Sequence, residues 1–174
     1  MEENKKYKLT DETIVVYGHA LHRIEATKDF GDVKAGDKGG FIDKDDNLSH
    51  SGNAWVYGDA KVFGDAEVSG DAKVFGDAKV FGDAKVYGNA WVYGDAKVFG
   101  DAEVSKLEDY IVFNNWWSSG RNFTWTRSNN KWRVGCFYGT GKELIAKAYK
   151  DSKKSGREYE RVVRFVESIL KDNQ

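Results

Sequence analysis

From Gly52 to Ser105 one six-residue unit repeats nine times without interruption: GNAWVY, GDAKVF, GDAEVS, GDAKVF, GDAKVF, GDAKVY, GNAWVY, GDAKVF and GDAEVS. So short a period cannot build a helical repeat. It reads as a parallel β-solenoid, in which short strands stack coil upon coil. Within each unit Ala and Val alternate with variable residues, which puts them together on one face of a strand. Val suits a strand, and Ala leaves room for close packing inside. The Gly-Asp or Gly-Asn pair supplies the corner, because Gly takes positive φ freely and Asp or Asn bonds nearby backbone. The block 52–69 recurs unchanged at 88–105, an offset of 36 residues. That offset fits coils of three units, and equally coils of two.

The Val-x-Gly-Asp-Ala-x pattern resembles the bacterial transferase hexapeptide repeat. The resemblance implies a left-handed parallel β-helix with triangular coils of three units each. On that reading one outer face carries Trp55, Lys73 and Trp91 beside Tyr57, Phe75 and Tyr93. A second carries Lys61, Lys79 and Lys97 beside Phe63, Phe81 and Phe99. The third carries Glu67, Lys85 and Glu103, an opposite-charge ladder, beside Ser69, Tyr87 and Ser105. The Trp-Lys-Trp column is expected to make cation–π contact. Exposed aromatic columns have two readings: rings stacking to stabilise the coil, or a surface for self-association or a partner. Trimers are common in proteins of this fold, so the resemblance implies a homo-oligomer, with a trimer as the expected form.

A solenoid exposes strand edges at its ends and needs caps. Residues 1–40 read as an N-terminal cap, with strand-like runs at Thr13–Tyr17 and Leu21–Glu25. The β-helix then covers 41–105. Ile42 and Leu48 are six apart but two residues out of register with the later valines, which places a small insertion near Ser49–Ser51. Residues 106–174 read as an α+β domain. Its expected strands are Tyr110–Asn114, Asn122–Arg127 and Lys131–Phe137, with a turn at Ser128-Asn129-Asn130. Capping-box patterns at Thr140/Glu143 and Ser155/Glu158 predict two helices. The second would bury Tyr159, Val162, Val163, Val166, Ile169 and Leu170.

Charge is unevenly spread. Lys/Arg against Asp/Glu number 8 and 11 in residues 1–51, 5 and 9 in 52–105, and 14 and 8 in 106–174. The basic C-terminal part interleaves Arg121, Arg127, Lys131, Arg133 and Lys142 with Trp125 and Trp132. Such a mixture suits single-stranded nucleic acid by stacking and phosphate contact, or an acidic protein. A small domain filling its core with large aromatics would look the same. No apolar run is long enough for a bilayer, and the N-terminus has no apolar leader. The expectation is a protein of the bacterial cytoplasm that makes no membrane contact.

The full chain is also similar to hexapeptide-repeat proteins of phages and prophages of Gram-positive bacteria. The carrying runs are LHRIEATKDFGDVKAGDKGGFI, GNAWVYGDA and SSGRNFTWTRSNNKWRVGCFYGTGKELIAKAY. Family enzymes use a catalytic His and loops protruding from the coil. Here the units have neither, and His19, His22 and His50 all lie upstream. A three-His zinc site is unsupported, since on a strand His19 and His22 point to opposite faces. Gly139-Thr140-Gly141-Lys142 opens a helix but departs from a phosphate-binding loop in having Glu143 after the Lys. The lone Cys136 is read as a small buried hydrophobe. The expectation is a phage or prophage accessory protein without catalysis, metal or cofactor. Its rod would present the aromatic-basic domain to a host or phage macromolecule. The alternatives are direct inhibition of a host defence or nucleic-acid enzyme, and an acyltransferase.

Overall fold

The structure is a computed structural model and describes residues 5–172. The ends of the expected cap and of the C-terminal domain, residues 1–4 and 173–174, lie outside the described residues. Strands β1 (Tyr7–Val16) and β2 (His19–Ala26) form an antiparallel hairpin. Its tip, Tyr17-Gly18, has φ of 50° and 85°. Strand β3 (Lys38–Ile42) pairs antiparallel with β2 and parallel with the first coil, so it converts the cap into the solenoid.

Each repeat unit contributes one two-residue strand: β4 Trp55–Val56, β5 Lys61–Val62, β6 Glu67–Val68, β7 Lys73–Val74, β8 Lys79–Val80, β9 Lys85–Val86, β10 Trp91–Val92, β11 Lys97–Val98 and β12 Glu103–Val104. They stack as three parallel ladders: β3-β5-β8-β11, β4-β7-β10 and β6-β9-β12. Trp55 pairs with Lys73 and Lys73 with Trp91. A coil is therefore three units, which removes the two-unit alternative. With β3 and a bridge from Leu48 to Val68, the solenoid has about four turns. Ile42 pairs with Val62 and Leu48 bridges Val68, two residues more than a coil. The expected insertion is present, between Leu48 and Trp55.

Every Ala and Val of the array is fully buried in one continuous core. Burying a valine contributes about 1.5–3 kcal/mol, as an upper estimate. The corners need glycine for two reasons at Gly82. Its φ is 73°, and a Cβ would lie 3.0 Å from the Gly100 amide nitrogen of the next coil.

After a short turn at Leu107–Asp109 the chain forms an antiparallel meander of β13 (Tyr110–Asn114), β14 (Asn122–Thr126), β15 (Lys131–Val134) and β16 (Phe137–Gly139). The expected strand Lys131–Phe137 is thus two strands. Gly135, at φ 57°, turns the chain between them and leaves Cys136 exposed, not buried. Helix α1 (Gly141–Asp151) starts at the predicted Thr140/Glu143 capping box. Helix α2 (Lys153–Asp172) starts before the predicted Ser155. The cap is Ser152, whose Oγ accepts from the Ser155 amide at 3.0 Å, so an earlier serine satisfies the first turn. Both helices pack on the sheet around Trp117, Phe123, Trp125, Trp132 and Leu144, with Tyr159, Val162, Val163 and Val166 buried as expected.

The domain closes the end of the rod through side chains. Thr124 Oγ1 accepts from the Lys97 amide at 2.9 Å and Ser128 Oγ from the Glu103 amide at 2.7 Å. Tyr110 Oη donates to the Trp91 carbonyl at 2.9 Å. These groups stand where a further coil would have paired its backbone.

Candidate functional site

The outer faces of the coils are not bare walls. On the second face the rings of Phe63 and Phe81 stack with centroids 4.9 Å apart, and Phe81 and Phe99 lie 4.5 Å apart. The spacing follows the strand repeat, which brings equivalent side chains to roughly 4.7–4.9 Å. The cap hairpin folds down on this ladder. Leu21 and Phe41, with Ile14 and Val16, bury Phe63 and Phe81. From the opposite end Tyr138 sets its ring edge-on at 4.7 Å from Phe99. Burial, reinforced by Asp101, pushes the Tyr138 hydroxyl up to about 12.

Between hairpin tip and C-terminal sheet remains a cleft of about 420 Å3, lined among others by Tyr17, His19, Phe81, Asp83, Phe99 and Arg133. The Arg133 guanidinium lies 4.6 Å over Phe99 and 5.5 Å over Phe81. Among the described residues it has no carboxylate partner, and its Nε is buried with no hydrogen-bond acceptor. Leaving such a donor unmade costs about 1–3 kcal/mol, more when charged. Across the floor Tyr17 stands 5.9 Å from Phe81. On the wall Asp65 is paired with Lys44 at 2.6 Å and Asp101 is held by Asn129 at 3.0 Å. Asp83, between them in the same corner column, is exposed and has no ion pair or side-chain hydrogen bond among the described residues. At the hairpin end His19 Nδ1 meets Asp43 Oδ2 at 2.7 Å, and Asp43 also accepts from the Gly64 amide at 3.2 Å. The cleft therefore offers an aromatic floor with an uncompensated cation and an uncompensated anion.

Of the residues expected to bind a partner, only Arg133 enters this cleft. Trp125 and Trp132 are buried, so they cannot serve as a stacking platform. Their rings fill the core because the sheet's other face is already occupied by the rod. Arg127 bonds the Glu108 carbonyl at 3.0 Å and lies 5.8 Å from Trp125. Arg121, just before β14, and Lys142, in the first turn of α1, are exposed, and Lys131 is half-buried. At the glycine-rich helix start Glu143 accepts from the Thr140 amide at 2.7 Å, so a carboxylate already occupies the place a phosphate would take.

The aromatic residues expected on an association surface are also divided. Phe63 and Phe81 are covered by the hairpin, and Phe99 is partly covered. Trp55 is buried under Phe30 and Tyr7. Tyr57 donates to Asp32 at 2.9 Å, and Phe75 is half-buried. Only Trp91 and Tyr93 stay open. Lys73 does not bridge the two tryptophans. It turns to Asp32 at 2.9 Å and lies 5.7 Å over Tyr57.

The other histidines have structural partners. His50 stacks on Tyr7 at 4.3 Å and accepts from the Lys6 amide at 3.1 Å, and His22 bonds the Thr10 carbonyl at 3.0 Å. Among the described residues no cluster of His, Cys, Asp or Glu has the makings of a metal site, and no helix is long and apolar enough to cross a membrane. Neither the known protein families nor the curated proteins contain a match to this chain. His19 and Tyr17 were not among the residues singled out for a site. Only the hairpin's long-range docking brings them to the coil face, and no local pattern announces it.

Proposed function

We propose that this protein is a non-enzymatic recognition module whose stiff solenoid holds the cleft between cap and C-terminal domain. The occupant is a peptide segment of a macromolecular partner with an apolar side chain flanked by charges of both signs. The apolar group would rest on Phe81 and Tyr17, its anion on Arg133 and its cation on Asp83. The observation that carries this reading is the Arg133 guanidinium, which lies on the phenylalanine ladder without a counter-ion. A half-buried charge is costly unless something pairs it. The nine unbroken units and the structural roles of His22 and His50 support a binding over a catalytic role. The hexad pattern supports a left-handed, hexapeptide-type coil. Its resemblance to phage and prophage proteins supports an accessory role in the bacterial cytoplasm.

The test is selection of random displayed peptides against the full chain. Enriched sequences should carry an apolar residue flanked by an acid and a base. They should lose at least tenfold in affinity on Arg133→Ala and on Asp83→Ala, while Lys142→Ala, outside the cleft, leaves affinity within twofold. Enrichment no better than on the Arg133→Ala protein refutes the proposal.

A further inference from the structure

Residues 52–69 and 88–105 are the same eighteen residues, and the solenoid sets them on the same faces two coils apart. One copy is covered and the other is not. On the first, the tight turn Phe30–Val33 lies over the face, with the Phe30 ring edge-on at 5.3 Å from Trp55. Asp32 accepts from Tyr57 at 2.9 Å, and Trp55 is only 1% exposed. On the second, Trp91 and Tyr93 are 48% and 47% exposed. The open patch runs on through Leu107, 52% exposed, and Ile111 into a groove of about 400 Å3 beside Tyr93. The covered copy thus shows what this sequence accepts: an aromatic edge carried on a tight turn.

One difference sets the charge of the missing turn. Asp32 also pairs with Lys73 at 2.9 Å. The ladder ends at Trp91 with no lysine stacked beyond it; thirty-six residues after Lys73 the chain has Asp109, a buried carboxylate in the turn after the last coil, already bonded to the Ser105 and Lys106 amides. On the groove Asp95 is bonded to Asn122 at 2.5 Å, and Glu108 and Lys106 pair with each other at 3.3 Å, so the second site lacks the lysine that calls for an acid on the first and presents Asp95 to an incoming base.

The chain carries a turn of that kind. The loop between β13 and β14 is closed by the Gly120 amide on the Asn115 carbonyl at 2.8 Å. Trp116 at its tip is 64% exposed, and Arg121 at its end is exposed with no side-chain partner among the described residues. No acidic residue occurs from Tyr110 to Lys131. Asn122 at the base of this loop is pinned to Asp95 of its own groove at 2.5 Å, and Trp116 is braced against Trp117 at 4.7 Å. The loop therefore cannot fold back on its own Trp91, but that of a second copy can reach it.

We propose that the Trp91/Tyr93 patch is a dimer interface that seats the Trp116 loop of a second copy. The two copies exchange loops about a two-fold axis, the arrangement that closes most homo-oligomers. In light scattering after size exclusion the full chain should run as a dimer. Trp91→Ala, Trp116→Ala and Arg121→Glu should each shift it to monomer by at least tenfold in Kd, with unchanged circular dichroism. An equimolar mixture of Trp91→Ala and Trp116→Ala retains one intact contact and should recover a weaker heterodimer. A monomeric wild type at high concentration overturns the proposal. So does an assembly, dimer or trimer, that survives both tryptophan variants, or a mixture that stays monomeric.

Discussion

Replacing Thr124 by valine tests whether the rod is closed by hydrogen bonding at its last coil. Thr124 is 1% exposed, and its Oγ1 is the acceptor for the Lys97 amide at 2.9 Å. Valine keeps the shape and the strand preference but accepts nothing, so the amide is left unpaired where water does not reach. The expected loss is about 1–3 kcal/mol. Thr124→Ser keeps the acceptor and loses one methyl, which costs about 0.8 kcal/mol. Ser128→Ala removes the acceptor of the Glu103 amide, 2.7 Å away, but Ser128 is exposed and water takes its place. That change should cost less than about 0.5 kcal/mol. Urea unfolding followed by circular dichroism, compared at equal slope, should rank the losses Thr124→Val, Thr124→Ser, Ser128→Ala. Amide exchange should rise at Lys97 in the first variant alone. If Thr124→Val is no less stable than Thr124→Ser, or Ser128→Ala costs as much, the coil edge is not held in this way.

Three further outcomes follow from the same geometry. Burial pushes the Tyr110 hydroxyl up to about 12, so the unfolded chain ionises first, from about pH 10; this stabilisation is complete below that and lost as pH rises through 12. An alkaline unfolding titration should show a loss across that window that is smaller by about 2–3 kcal/mol in Tyr110→Phe, the remainder coming from other raised tyrosines such as Tyr138. Gly94→Ala meets nothing within 4 Å and should cost only the strain of positive φ, about 1–2 kcal/mol, whereas Gly82→Ala also drives its Cβ onto the next coil and should cost visibly more in thermal melts. Trp117→Phe removes an indole N–H that is buried without an acceptor, so its stability loss should be well below the cost of truncating a core tryptophan, about 3–5 kcal/mol.

The parts of the fold that repeat were legible because a six-residue period leaves few options. The alternation of Ala and Val gave the buried face, and Ile42 and Leu48 gave the offset of the first turn. Coil size was not legible, since identical blocks two coils apart are silent about what lies between them. The Lys131–Phe137 strand was misread because Gly135 and Cys136 form a turn with no polar signal. The capping-box pattern points to Ser155 because Glu158 stands three residues on, whereas Ser152, the cap in the structure, has Ser155 there and carries no box. The site was the least legible part. Phe63, Phe81 and Phe99 lie on a face covered by the distant β1–β2 hairpin and Phe41, and Arg133 and Tyr138 reach it from the other end of the chain. Contacts of that range depend on docking, and the chain between them carries no period that encodes it.

The repeat specifies a stacking rule but no length; the two ends supply that. Eighteen residues beyond Val92, where another coil would place a valine, stands Tyr110, buried in the same core with its hydroxyl on the Trp91 carbonyl. At the other end the Lys6 ammonium reaches the Ala54 carbonyl at 2.7 Å, and Asn47 Nδ2 reaches the Ala66 carbonyl at 2.8 Å. Carbonyls meet donors and amides meet acceptors, so both caps would fit a rod with any whole number of coils. The cleft would not. Tyr17 hangs from the first end and Arg133 from the second, and both face Phe81 because the intervening coils hold them that far apart. Inserting a second copy of residues 70–87 should leave a folded protein with Tyr17 and Arg133 about 4.8 Å further apart. Peptides selected on the native cleft should then bind the lengthened protein no better than they bind Arg133→Ala. If they bind it as well as the native chain, the rod does not act as the ruler of this site, and recognition resides at one end alone.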